Sequence, residues 1–153
     1  MAKFLVAYFG LVQIAHLVAL AWAAVLLILT GRIPFPAPPP PGGWSPQARH
    51  FLIGLGVADA VTALLAVAFV FGYFSSANWC VWLGMLTLTS AVCSAVVFAY
   101  GTIASGAWAC HPVEYLSLAI AFTPVAVLFV LFNVWVIRGK LSACLAGWPG
   151  SNA

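Results

Sequence analysis

Apolar residues dominate four stretches of this chain, at 4–30, 50–74, 78–104 and 113–138, and the breaks between them are marked by proline, glycine, serine and basic residues. Each stretch exceeds the ~20 helical residues that cross the ~30 Å hydrocarbon core of a bilayer. Bulky apolar side chains are spread around every side of these stretches, as suits helices bathed in lipid. The pattern predicts an all-α integral membrane protein, a four-transmembrane-helix up-down bundle forming a single domain over residues 1–153. A proline-rich first loop at 31–49 and a tail at 139–153 complete it.

The connections set the topology. Gly31 to Pro46 holds too many prolines for a helix or a central strand, so polyproline II giving way to a turn at Gly42-Gly43 is expected. Ser45 followed by Pro46 reads as an N-cap and first-turn proline opening the second helix. The proline run lacks the basic flanks of an SH3 ligand and reads as a spacer or docking loop. Ser75-Ser76-Ala77-Asn78 is short enough to force the second and third helices to be antiparallel neighbours, and the segment 105–112 does the same for the third and fourth. Tyr73, Trp79, Trp82 and Trp135 then fall at one membrane interface, and Trp108 and Tyr115 at the other.

An even number of spans puts both termini on one side. Lys3, Arg138 and Lys140 lie on that side against Arg32 and Arg49 in the first loop, so the positive-inside rule places the termini in the cytoplasm by a margin of one cation. Lys3 before an apolar run, with Ala21-Trp22-Ala23 resembling a cleavage site, mimics a secretory signal. The run continues to Thr30, longer than a signal's apolar region, and is read as a retained transmembrane helix.

At 65% hydrophobic and 5% charged, the chain lacks the polar surface to cover a soluble globule of its size, and its basic residues form no patch for nucleic acid. Its lipid bilayer is one partner, and other membrane-protein subunits are expected. The cysteines Cys80, Cys93, Cys110 and Cys144 make neither CxxC pairs nor zinc-ligand spacing, so no metal site is expected. Cys93 reads as a packing residue, and Cys80 and Cys144 share a membrane side on which a disulfide between them is conceivable.

Helices in lipid associate through close backbone approach at small residues. Ribs at four-residue spacing predict packing seams at Ala15, Ala19 and Ala23, at Gly54, Ala58, Thr62 and Ala66, and at Ala91, Ala95 and Ala99. Pro124 should kink the fourth span and free a carbonyl that a hydroxyl or a neighbouring helix must satisfy.

Asp59 is the one formally charged residue away from the ends of the four stretches, Glu114 and Arg138 lying at the two ends of the last, which makes it the first candidate site. It shares a helical face with Gly56, Thr62, Ala63 and Ala66, where a proton or cation site and a structural aspartate bonded to Thr62 or to a partner subunit have the same surroundings. His16 sits near the middle of the first span with Gln13 one turn earlier on its face. Counted inward from the proline loop, His16 lies about 14 residues deep and Asp59 8 to 9 from residue 50, a mismatch of roughly 8 Å at 1.5 Å per residue. Direct pairing therefore requires tilt or shifted helix boundaries. His16, His50 and His111 offer no pair of axial haem ligands at matching depth, and Cys110-His111 lacks the first cysteine of a c-type attachment site. The sequence requires no cofactor. Glu114 reads as a first-turn charge, while Asn133 and the Thr87, Ser90, Ser94 row are expected to bond across helices.

Four spans with short loops are shared by several small membrane families. The first-helix glutamate of small drug exporters, the CxxC pairs of thiol-quinone oxidoreductases and the paired cysteines of a claudin-type loop are missing, so the likeness is one of layout. With no catalytic constellation, the leading expectation is a non-catalytic accessory or scaffolding subunit of a larger membrane complex. The alternative is a small oligomeric transporter or proton- or ion-conducting protein using Asp59 and His16. A haem-, pigment- or quinone-binding subunit is the third.

Overall fold

The computed structural model describes residues 3–31 and 38–146, with residues 140–146 described by their backbone alone. Four of its helices are long and apolar enough to cross a membrane: α1 (Lys3–Thr30), α2 (Pro46–Phe74), α3 (Cys80–Ala104) and α5 (Pro112–Ala146), the last by its Pro112–Gly139 portion. A single turn, α4 (Ala107–Cys110), lies in the connection before α5. The protein is an all-α four-helix membrane bundle, with no strand among the described residues. Arg32, Pro34, Pro36, the thiol of Cys144 and Trp148 lie outside what is described.

Helix α2 opens four residues before its apolar stretch. Ser45 caps it by accepting a hydrogen bond from the Ala48 amide at 3.2 Å, Pro46 occupies the first turn, and the polar turn through Arg49 is helical without being apolar. The expected tail at 139–153 is in part helix as well, because α5 runs on to Ala146. In the first loop, Gly42 and Gly43 both have positive φ (87° and 85°), which only glycine adopts without strain and which makes the expected turn. The Arg49 guanidinium donates to the carbonyl of Gly31 and ties the end of α1 to the start of α2.

Helices α1, α2, α3 and α5 form a ring in which each packs on its neighbours in sequence and α5 closes on α1. The core does not extend evenly along it. Val6, Phe9, Ala66, Phe69, Leu88, Val125, Leu128 and Phe132 are buried together, all in the half toward the α1 start and the α2–α3 turn, which we term the terminal half. Phe69 sits at its centre, edge-on to Phe132 (ring centroids 5.5 Å apart, 87° between planes) and 6.3 Å from Phe9. Gly84 lets α3 approach this cluster: a Cβ there would lie 2.6 Å from ring carbons of both Phe69 and Phe132.

Toward the proline loop the ring opens. No residue of α1 after Gln13 is buried, and in α2 only Leu52 is buried before Thr62. What packs in this loop half is a small aromatic cluster on the α3–α5 side. Tyr115 stacks on Trp108 at 5.4 Å, donates its hydroxyl to the Pro38 carbonyl at 3.0 Å, and is covered by Trp44 and Phe98.

The predicted seams are redistributed by this asymmetry. Ala66 and Ala91 are buried, and Ala95 and Ala99 are half-buried. Ala15 and Ala19 face outward, Ala23 is only half-buried, and Gly54 and Ala58 are exposed, with nothing within 4 Å of a Cβ on Gly54. These residues lie beyond the reach of the packed half, so their spacing creates no seam within the chain. The close approaches of α1 to α2 run instead through Gly10 against Val70 and Gly56 against Leu20.

Around Pro124 two hydroxyls supply donors. Tyr8 on α1 donates to the Ala121 carbonyl at 2.7 Å and Thr123 to the Ala119 carbonyl at 3.1 Å, on either side of Ile120, whose carbonyl Pro124 leaves without its helical donor. The first of these bonds also fastens α1 to α5.

Candidate functional site

His16 and Asp59 meet. The imidazole Nε2 lies 3.7 Å from the Asp59 carboxylate Oδ2, with the His16 side chain 40% and that of Asp59 21% exposed. The depth mismatch expected from the apolar stretches disappears because α2 starts at Pro46. His16 stands 14 residues from Thr30 and Asp59 13 residues from Pro46, a difference of one residue or about 1.5 Å along antiparallel neighbours. The four polar or cap-proximal residues that open α2 carry no hydropathy signal but carry depth. With α1 spanning 28 residues and α2 29, the pair lies midway along both helices.

At 3.7 Å the contact is longer than a hydrogen bond and is an ion pair only while the imidazole is protonated. In hydrocarbon the pair has two near-neutral forms, imidazolium with carboxylate or imidazole with carboxylic acid, differing by the transfer of one proton. Either form avoids the lone intramembrane charge that would cost several kcal/mol. Gln13, one turn from His16, is 7% exposed and is the last buried residue of α1. The site therefore stands where the core ends: Gln13 is on its packed side, and the open loop half is on the other.

Thr62, expected as a hydrogen-bond partner of Asp59, turns elsewhere. Its hydroxyl pairs with that of Ser90 at 3.1 Å and links α2 to α3. Beside this bond an open groove of about 340 Å³ runs between the two helices, lined by Ala58, Val61, Leu65, Leu86 and Thr87 in addition. Thr87 donates to its own helix, to Leu83 at 2.8 Å, and Asn133 likewise to Phe129 at 2.8 Å, so neither makes the expected cross-helix bond. Both satisfy themselves on the carbonyl four residues back, which is always within reach in a helix.

His111 Nδ1, just before α5, and Glu114 Oε1, in its first turn, lie 3.9 Å apart, a surface pair at a helix N-terminus that suits the carboxylate. Among the described residues no three of His, Cys, Asp and Glu gather as metal ligands. Tyr8 and Gly84 were not marked by sequence reasoning. A glycine deep in a span costs up to about 1 kcal/mol relative to alanine and so hints at a close approach. Gly54 carries the same hint and meets nothing.

Compared with known proteins, the chain matches no protein-family profile, no curated protein and no solved structure.

Proposed function

We propose that this protein is a non-catalytic accessory or scaffolding subunit of a membrane assembly, with its termini in the cytoplasm, and that it associates through the open loop half of its ring, where His16 and Asp59 stand on the sides of α1 and α2 that carry the core. One observation carries the reading: a polar pair at mid-membrane, 40% and 21% exposed, sits where the bundle stops packing. Apolar surface needs no protein partner in lipid, but a hydrogen-bonding pair does, because acyl chains offer it nothing. Purification from native membrane in mild detergent tests this. A stoichiometric membrane partner, lost in the His16→Leu/Asp59→Leu variant at unchanged helicity, is the expected result. A chain that purifies alone, in a single copy and with the pair intact, sinks the reading.

The 3.7 Å separation also favours a second reading, a proton- or cation-conducting protein in which the pair exchanges a proton. Proteoliposomes with an internal pH dye separate the two. Flux abolished by Asp59→Asn in a folded protein supports conduction, and absence of flux in the wild type removes it.

A further inference from the structure

We infer that Gln13, His16 and Asp59 together bind a small ammonium ion, unsubstituted or primary, which reaches them through the open loop half from inside the ring. The inference needs neither a partner subunit nor ion flux, so it stands apart from both readings above.

All three side chains face the inside of the ring. Val6, Phe9, Gln13, His16 and Leu20 recur on α1 at intervals of three and four, and Ala66, Ala63, Asp59, Gly56 and Leu52 do so on α2. Toward the terminal half both stripes are fully buried, and the exposed positions Ile14, Val18, Val57, Val61 and Leu64 lie off them. A side chain on such a stripe that is 40% exposed, as His16 is, or 21%, as Asp59 is, is exposed to a space within the ring. Gln13 borders the same space. It is 7% exposed, and its amide has no hydrogen-bond partner among the described residues. No unpartnered side-chain nitrogen or oxygen among those residues is fully enclosed, so this amide reaches the open side. Acyl chains offer these groups nothing, and what fills the space beside them is polar.

The three groups form a set of acceptors. His16 and Asp59 do not satisfy one another, since 3.7 Å is too long for a hydrogen bond. A nitrogen placed off the line between them can stand about 2.9 Å from both Nε2 and Oδ2. The Gln13 amide oxygen, one turn toward the packed core on the same face of α1, is the third acceptor. Methylammonium carries three N–H donors and one positive charge. The donors match the imidazole, carboxylate and amide, and the charge balances Asp59, which leaves a neutral site in the membrane. Alkali cations match less well, because hard cations take oxygen ligands in larger number and an imidazole nitrogen suits transition metals instead. Tetramethylammonium has no N–H donor at all.

Binding of isotopically labelled methylammonium to the full-length chain in mild detergent tests the site. Equilibrium dialysis is run at a pH of about 8, where an ordinary imidazole is neutral. Thermal unfolding in matched chloride salts gives an independent readout, because a ligand of the folded state raises its midpoint. The wild type should bind methylammonium at least about tenfold more tightly than potassium, sodium or tetramethylammonium, with unlabelled ammonium competing. Asp59→Asn keeps the size of the side chain, removes its charge and should abolish binding. Gln13→Met and His16→Leu each remove one acceptor and should weaken binding by at least about tenfold at unchanged helicity, the worth of a hydrogen bond to a charged group. Gln13→Met leaves the ionisable pair intact, so it carries the test if Asp59→Asn loses helicity.

Methylammonium bound no better than potassium or tetramethylammonium overturns the inference. So does binding that survives unchanged in a folded Asp59→Asn or a folded Gln13→Met variant.

Discussion

The terminal half of the bundle and the loop half belong to the same four apolar spans, yet one is packed and the other open. In the terminal half, Phe69 packs between Phe9 and Phe132, Gly84 admits the Phe69 and Phe132 rings, and Tyr8 bolts α1 to α5. In the loop half, α1 has no buried residue at all, and the aromatic cluster around Tyr115 serves only the α3–α5 side. Hydrophobicity cannot make this distinction in a bilayer, where lipid is as apolar as leucine. Shape makes it: in one half rings from two helices, Phe69 and Phe132, close on Gly84, whereas in the other the contact of Phe51 with Gly101 joins α2 to α3 and no residue of α1 is buried.

The sharpest way to break this contrast is to remove its central ring. Phe69→Ala should cost about 3–5 kcal/mol, because a buried aromatic touching Phe9 and Phe132 leaves a cavity that rigid neighbours cannot fill. Ile28→Ala, 82% exposed near the loop end of α1, should change stability by less than about 0.5 kcal/mol. Unfolding in mixed micelles followed by tryptophan fluorescence gives both numbers, and equal losses would erase the distinction between the halves.

A smaller effect with a change of sign comes from two glycines. Gly84→Ala drives a methyl to 2.6 Å from two ring carbons and should destabilise by about 1–3 kcal/mol. Gly54→Ala meets open space in a helix interior and should stabilise by about 0.5–1 kcal/mol through lower backbone entropy in the unfolded chain. Thermal midpoints shifted in opposite directions are the expected readout. Below these stands Tyr8→Phe, which removes one hydroxyl from the Ala121 carbonyl. It should cost about 0.6 kcal/mol, near the average for a cross-helix bond in membrane.

The four spans, their antiparallel order and the Ser45-Pro46 helix start were legible because length, proline and capping chemistry are local properties. The seams were not. Four-residue spacing of small residues says nothing of whether a neighbour arrives: in the loop half Leu20 meets Gly56 and Phe51 meets Gly101, while Ala15, Ala19 and Gly54 face outward. Asp59 and Gln13 were legible as polar residues in apolar stretches. The meeting of His16 with Asp59 is not legible from hydropathy, because a helix begins at its cap and the polar first turn of α2 adds depth without an apolar signal. Ser45-Pro46 and the span taken together bring the pair level.

A change that leaves fold stability nearly untouched is the one with the largest consequence for function. Replacing both members of the mid-membrane pair, His16→Leu with Asp59→Leu, should leave the unfolding free energy of the isolated chain within about 1 kcal/mol of the wild type, since swapping a partly buried ionic pair for apolar groups is often neutral or better. The singles should differ from the double, because each leaves one ionisable group in the membrane without its partner. A double variant as damaged as the singles would mean that the pair holds α1 against α2. If the double variant instead folds like the wild type and fails only to associate, the pair serves what lies outside the chain. The open half would then be the surface the packed half exists to present.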